Sequence, residues 1–246
     1  MWTAEALARL RVRDGFRLRG GEVTRLESLT DGAFALALTF LVVAANEVPH
    51  SYQDLMAAFK QAPAFAASFA LMLLFWYSHV TWSRRYGLED ALSTVLTACL
   101  IFTMLIFVLP LKIIFGVWFS YMSGGWLPDL TRIDSLEQLR QLFIAYNLGF
   151  ILIEASLHGL YAHALRLADR LGLNPLELLD TRYSINRCRL GLLIGVSAML
   201  IVVVVPLDYS PFSGYCYALL GIANPLLRRQ YAGRRSQLIA AAVADA

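Results

Sequence analysis

The chain has 246 residues, 58% of them hydrophobic and only 16% charged, with a formal net charge of +3 and a mean hydropathy of +0.58. Soluble globular domains carry about 25% charged and about 45–50% apolar residues, so this composition excludes an ordinary soluble fold, whose excess apolar surface would drive association. The basic balance does not point to nucleic acid either, because no recognition motif accompanies it.

The apolar residues fall in blocks of the length a transmembrane helix needs, about 20 residues. Residues 1–22 are arginine-rich, lack the apolar stretch of a cleavable signal peptide, and read as a cytoplasmic arm, helical from Ala4 to Arg13 and ending at Gly20-Gly21. The first span covers about 31–46 with an amphipathic lead-in. A second follows at 62–82, a third at 91–118 and a fourth at 141–164; the third and fourth exceed the hydrocarbon thickness and are expected to tilt or project. Residues 119–138 read as an outer loop, with turn residues Ser123-Gly124-Gly125 and an interfacial aromatic cluster of Trp118, Tyr121 and Trp126. Residues 166–189 read as the longest inner loop, with a short helix starting at Asn174-Pro175. Spans five (190–207) and six (211–227) form a hairpin of antiparallel helices across the turn 206–211. The tail after Arg235 is Ala-rich and reads as loose. The expected organisation is an arm (1–22), a six-helix domain (23–230) and a cytoplasmic tail (231–246).

Charge sets the orientation, because Arg and Lys collect in cytoplasmic segments. With the amino terminus inside, all but Lys60, Lys112, Arg132 and Arg140 of the 21 basic residues fall in inner segments. The sequence therefore predicts an all-α, multi-pass protein of the cell membrane with both termini cytoplasmic. Contact of the basic helix ends with anionic lipid follows from the same distribution. Cys99, Cys188 and Cys216 have no disulfide or metal spacing and are expected as free thiols. Glu154 and His158 lie four apart on one helix face, but two ligands make no metal site, and an interhelical hydrogen bond or a proton-linked role is the expected use. Lys112, near the outer end of span three, is expected to snorkel. Serines within the spans have no base arrangement beside them, so no enzyme activity is expected.

The first span carries the most information. It reads Arg25-Leu-Glu-Ser-Leu-Thr-Asp31-Gly-Ala-Phe-Ala-Leu36-Ala-Leu-Thr39-Phe-Leu-Val-Val43. An Asp at the edge of hydrocarbon is expensive, and such residues usually face protein or water and mark function. At about 100° per residue, Leu29, Gly32, Leu36, Thr39, Phe40 and Val43 share one face. Asp31, Leu38 and Val42 lie about a third of a turn away, and Phe34 and Leu41 lie opposite. Gly32 and Ala33 would admit close approach of another backbone.

This stretch resembles the signature of the transmembrane protein 175 family of potassium channels, bacterial branch. The family pattern is an Arg, three residues, Phe-Ser-Asp, then a small and aliphatic run ending in Thr. Here Arg25, Asp31 and Thr39 keep that spacing, with Leu29 and Thr30 in place of Phe and Ser. Trp76-Tyr77-Ser78-His79 is similar to the family's Trp-x-x-His at the inner end of span two, and Leu109-Pro110 to its Leu-Pro in span three. The resemblance covers residues 25 to about 230.

The resemblance implies a homotetramer around a central pore, lined by span one and passing potassium ions without a cofactor or bound metal. It places the constriction at Leu36, where the family more usually has Ile, a hydroxyl ring at Thr39, and Phe40 and Val43 on the same lining. Hydrophobic constrictions gate by dewetting. The resemblance also joins Arg25, Thr30, Asp31, Trp76 and His79 in a network that fixes the inner end of span one, with His79 as a hydrogen-bonding core residue. The competing readings are a proton-coupled transporter or exchanger, with Asp31, His79, Glu154 and His158 as a relay, and a non-conducting membrane scaffold of the same fold. A carrier's flux would saturate and depend on a second ion.

Overall fold

The computed structural model describes residues 2–43, 50–129 and 131–244. Its chain order is α1 (Ala4–Ala8), β1 (Val12–Arg13), β2 (Phe16–Arg17), α2 (Arg25–Val43), α3 (Tyr52–Lys60), α4 (Ala62–Tyr86), α5 (Ala91–Met122), α6 (Leu136–Arg166), α7 (Ala168–Leu171) and α8 (Pro175–Val204), then a 3-10 segment (Leu207–Tyr217) and α9 (Ala218–Ala244). Among the described residues, α4, α5, α6 and α8 are long and apolar enough to cross a membrane. In α2 the charged Arg25, Glu27 and Asp31 occupy the first two turns, so its apolar part begins only at Gly32. The side chain of Val43 and residues 44–49, where the first span is expected to end, lie outside the described residues.

Local chemistry accounts for the helix boundaries. Asp90 and Ser135 accept hydrogen bonds from the backbone N–H groups of Ser93 and Gln138, capping α5 and α6. Such caps satisfy donors that have no intrahelical partner. Asn174 and Glu177 form a reciprocal capping box, and Pro175 takes the first turn of α8. That box begins a 30-residue helix. The inner loop expected over 166–189 is therefore short: only α7 and its flanks separate α6 from α8. Arg182, Arg187 and Arg189 are helical, not loop, residues.

The sixth apolar block is divided. Pro206 precedes a 3-10 stretch, Leu207–Tyr217, that contains Pro211, and α9 begins at Ala218. The segment returns along α8, as the expected hairpin requires: Asn186 donates to the Tyr231 hydroxyl at 2.6 Å, and Arg235 meets Asp180 at 3.3 Å. The tail expected to be loose is instead helical to Ala244.

The amino-terminal arm is docked too. Its helix stops at Ala8, and Asp14-Gly15, with φ of 51° and 77°, turns a two-stranded hairpin. Positive φ at both central residues is what a tight hairpin turn requires, hence the Asp-Gly pair. Phe16 at its end is buried edge-on against Tyr86. Arg19 is buried and pairs with Glu177, whose side chain is likewise fully buried, at 2.9 Å, while also donating to the Leu171 carbonyl. The backbone of Arg19 and Gly20 hydrogen-bonds to the carbonyls of Arg85 and Arg84. Gly87, at the end of α4, has φ of 58°, and a Cβ there would lie 2.9 Å from the Arg19 carbonyl carbon. Glycine thus lets the arm approach α4.

The helices meet through small residues. Ser184, Cys188, Gly191, Gly195 and Ala198 form a stripe on α8, and all five are buried. Cβ atoms at Gly191 and Gly195 would stand 2.8 Å from Glu154 Cδ and 3.0 Å from Ile151 Cγ1 on α6. Close backbone approach of this kind is how helices pack in lipid, where apolar burial alone does not favour association. A ring cluster of Phe75, Phe107, Tyr146, Phe150 and Tyr217 fills the centre.

Candidate functional site

Helix α2 is held on one side only. Phe34 is 3% exposed and Ala37 and Leu41 are wholly buried, packed towards α4 and α5. The other side is bare: Leu29, Leu36 and Phe40 are 62%, 48% and 46% exposed, and Gly32, Ala35 and Thr39 are exposed with them. Nothing lies within 4 Å of where a Gly32 side chain would begin. The Thr39 hydroxyl is satisfied internally, donating to the Ala35 carbonyl at 2.9 Å. From Leu29 to Phe40 the exposed face is apolar except for the Thr39 hydroxyl, and exposed Arg25 and Ser28 precede it in the first turn.

Polar contacts fix how α2 is rotated. Trp76 Nε1 donates to Asp31 Oδ1 at 2.8 Å, joining α4 to α2. One turn earlier, the buried Glu27 accepts from Arg84 Nε at 2.9 Å and from Ser83 Oγ at 3.3 Å. Thr30, fully buried, donates to the Leu26 carbonyl at 2.7 Å. At the other end, Lys112 is buried, not snorkelling, and its Nζ donates to the Leu41 carbonyl at 2.6 Å. That carbonyl belongs to the last described turn of α2, where a cation complements the helix dipole.

The structure brings together only part of the expected network. Asp31 meets Trp76. His79 is buried on the same helix as Trp76, but its Nε2 lies 3.2 Å from Thr97 Oγ1 on α5 rather than on Asp31. Arg25 is exposed and makes no hydrogen bond or ion pair among the described residues; its place is taken by Arg84, because Glu27 faces α4 and Arg25 faces away. Glu27 and Lys112 are the residues that sequence reasoning missed. Glu27 carries a signal, since it lies four residues before Asp31 and so on the same face; Lys112 carries none without the packing of α5 on α2. The expected hydrogen bond of Glu154 or His158 is not formed through Glu154 Oε2 or His158 Nδ1, both buried without a partner. No cluster of three metal-binding side chains occurs among the described residues.

These elements coincide with the part of the chain that matches known proteins. Residues 25–110, from the start of α2 to the proline within α5, match the family described as the endosomal/lysosomal potassium channel TMEM175. A protein named potassium channel from Marivirga tractuosa is 34% identical over 176 residues, covering 69% of this chain and 70% of that one. A crystal structure of a variant of the potassium channel MtTMEM175, in complex with a Nanobody-MBP fusion protein, superposes with a TM-score of 0.77 at 28% identity. The match covers 90% of this chain and 99% of that chain. With four apolar membrane-length helices, a one-sided α2 and these relatives, the chain is a multi-pass membrane protein that belongs to the TMEM175 potassium channel family.

Proposed function

We propose that this protein is a potassium-permeable channel in which four copies surround a central pore lined by the exposed face of α2. The observation that carries the reading is the sidedness of that helix. Its own chain covers Phe34, Ala37 and Leu41 and leaves Leu29, Gly32, Leu36, Thr39 and Phe40 bare. Symmetric assembly covers such a face and places each of its residues in a ring. On this reading Leu36 forms the constriction, because a narrow apolar ring makes passage of a hydrated ion costly. Thr39 sets hydroxyls next to it, with Phe40 and Val43 further along the lining. Asp31 with Trp76, and Glu27 with Arg84, act as positioning contacts that hold the rotation of α2; Thr30 and His79 sit behind them in the packed interior.

The same reading gives six crossings, with both termini in the cytoplasm of the cell membrane. The first is α2, and the last is the 3-10 segment with the start of α9, up to Leu227. The arginines that begin at Arg228 then lie inside, with Arg84, Arg187 and the arm. The test is potassium flux into liposomes under an ion gradient, with sodium as the comparison ion. Wild type and Leu36→Ala are expected to differ strongly in flux, and Leu36→Asn to open a dewetted ring. Absence of flux in all three, with tetramers intact, would overturn the channel reading and leave a non-conducting scaffold. Saturable flux that requires a second ion would favour a carrier.

A further inference from the structure

A cavity of about 630 Å³ lies between α4, α8 and α9, away from α2. Its wall carries Arg85, Arg187, Arg228 and Arg235 against two carboxylates, Asp14 and Asp180. Both carboxylates already have cations: Asp180 pairs with Arg235 at 3.3 Å and Asp14 with Arg13 at 4.0 Å. The other three arginines make no ion pair within 4.0 Å among the described residues, although Asp180 acts on Arg85 and Glu154 on Arg187 at longer range. Arg85 lies over the Phe16 ring at 4.7 Å, Arg187 donates to Ser78 Oγ at 2.9 Å, and Arg228 is exposed at the rim. The cavity wall thus holds more cations, four arginines, than carboxylates, two aspartates, which favours an anion between them, and guanidinium pairs with phosphate oxygens through two parallel hydrogen bonds. Tyrosine, serine and threonine hydroxyls line the remaining polar wall.

The cavity is also amphipathic along its length. Leu74 and Tyr77 line one end, on the apolar part of α4, where both are more than half exposed. From Leu74 to Arg85 the helix rises about 16 Å, so the cavity runs from hydrocarbon to the charged ends of the helices. A free phosphate ester needs only the arginine end. We propose that this cavity binds an anionic glycerophospholipid, its phosphate held by Arg85, Arg187 and Arg228 and an acyl chain lying along Leu74 and Tyr77. Such a lipid bridges α4, α8 and α9, and cationic pockets between helices at the cytoplasmic surface are suited to anionic head groups. The cytoplasmic position rests on the proposed topology; the binding itself does not.

The test is native mass spectrometry of the intact purified protein, with the thermal unfolding midpoint as a second reading and no flux measurement involved. Short-chain phosphatidylglycerol is expected to be retained and to raise the midpoint, and short-chain phosphatidylcholine to do neither. Arg187→Gln and Arg228→Gln are each expected to weaken phosphatidylglycerol binding about tenfold, the loss of one charge-assisted contact. Arg189→Gln, exposed and outside the cavity, removes the same charge and is expected to leave binding unchanged. Arg228 is exposed and makes no hydrogen bond or ion pair among the described residues, so its variant keeps the test valid if Arg187→Gln misfolds. Equal weakening by Arg189→Gln, or equal retention of phosphatidylcholine, would overturn the proposal. Glycerol 3-phosphate binding as tightly as the lipid, with the same arginine dependence, would overturn the lipid source and assign the site to a soluble phosphate ester.

Discussion

Asp31 and Glu27 sit where an ionisable side chain is costly, and each has a nitrogen donor from α4 against it. Inside a bilayer, burying Phe34 or Leu41 against protein rather than lipid gains little, since both surroundings are apolar. Rotation of α2 must then be set by packing shape and by these polar contacts. A double-mutant cycle of Asp31→Asn and Trp76→Phe is expected to give a coupling of about 1–2 kcal/mol in detergent unfolding; additive effects would remove Trp76 from the role. A second pair lies where the start of α5 meets the end of α6, with His163 Nε2 2.6 Å from Asp90 Oδ2. Burial opposes ionisation of Asp90, but the hydrogen bonds from His163 and Ser93 outweigh it and hold the carboxyl below its ordinary 3.8. A depressed carboxylate pKa contributes stability that is present above the unfolded value and lost as pH falls through the folded one. Asp90→Asn is therefore expected to destabilise at neutral pH, with the gap to wild type closing below about pH 4. Unfolding midpoints measured across that range check it; a gap that stays constant would mean the carboxylate charge contributes nothing.

At the scale of elements, the polar stripe of α8 explains both what the sequence revealed and what it hid. The Asn174-Pro175-x-Glu177 start was legible because capping chemistry is local. The helix beyond it was not, because Arg182, Arg187 and Arg189 make 182–189 look like loop, whereas in three dimensions Arg182 and Arg189 are exposed and Arg187 lines the cavity between α4, α8 and α9, while Glu177, Thr181, Ser184 and Cys188 are buried. The Asp14-Gly15 turn is a strong hairpin signal, but strands of two residues show no alternation to read. The face of α2 was legible because the 3.6-residue period alone separates Leu36 from Phe34. Its contacts were not: nothing in the sequence says that Arg84, and not Arg25, reaches the carboxylate. The glycines of α8 give an element-level prediction. Gly191→Ala would place a methyl 2.8 Å from Glu154 Cδ and is expected to cost about 1–3 kcal/mol by overpacking. Gly221→Ala on α9, with nothing within 4 Å, is expected to be stabilising by about 0.4–1 kcal/mol. Equal effects in a denaturation series would mean that α6 and α8 are not closely seated.

For the whole molecule the decisive question is what meets the bare face of α2, lipid or an aqueous pore. Both leave Leu36 and Phe40 exposed in one chain, and a hydroxyl bonded to its own helix, as that of Thr39 is, is tolerated by either. Chemistry separates them, because a thiolate-directed, charged, water-soluble reagent reaches a cysteine in a pore but not one facing acyl chains. Cys99, exposed on the chain, and the part-exposed Cys216 must first be replaced, whereas Cys188 is buried. In that background Thr39→Cys and Gly32→Cys are expected to react with a cationic methanethiosulfonate and to lose potassium flux in proportion to modification. Ala37→Cys, wholly buried between helices, is expected to do neither. The pattern tests assembly at the same time, since four thiols brought around one axis would also form disulfide-linked dimers under oxidation, and a lipid-facing helix would not. Reaction at position 37 but not at 39 would mean that α2 is rotated in the assembled protein. Modification at neither position, with flux preserved, would move the conduction pathway to another helix and leave the exposed face of α2 to lipid.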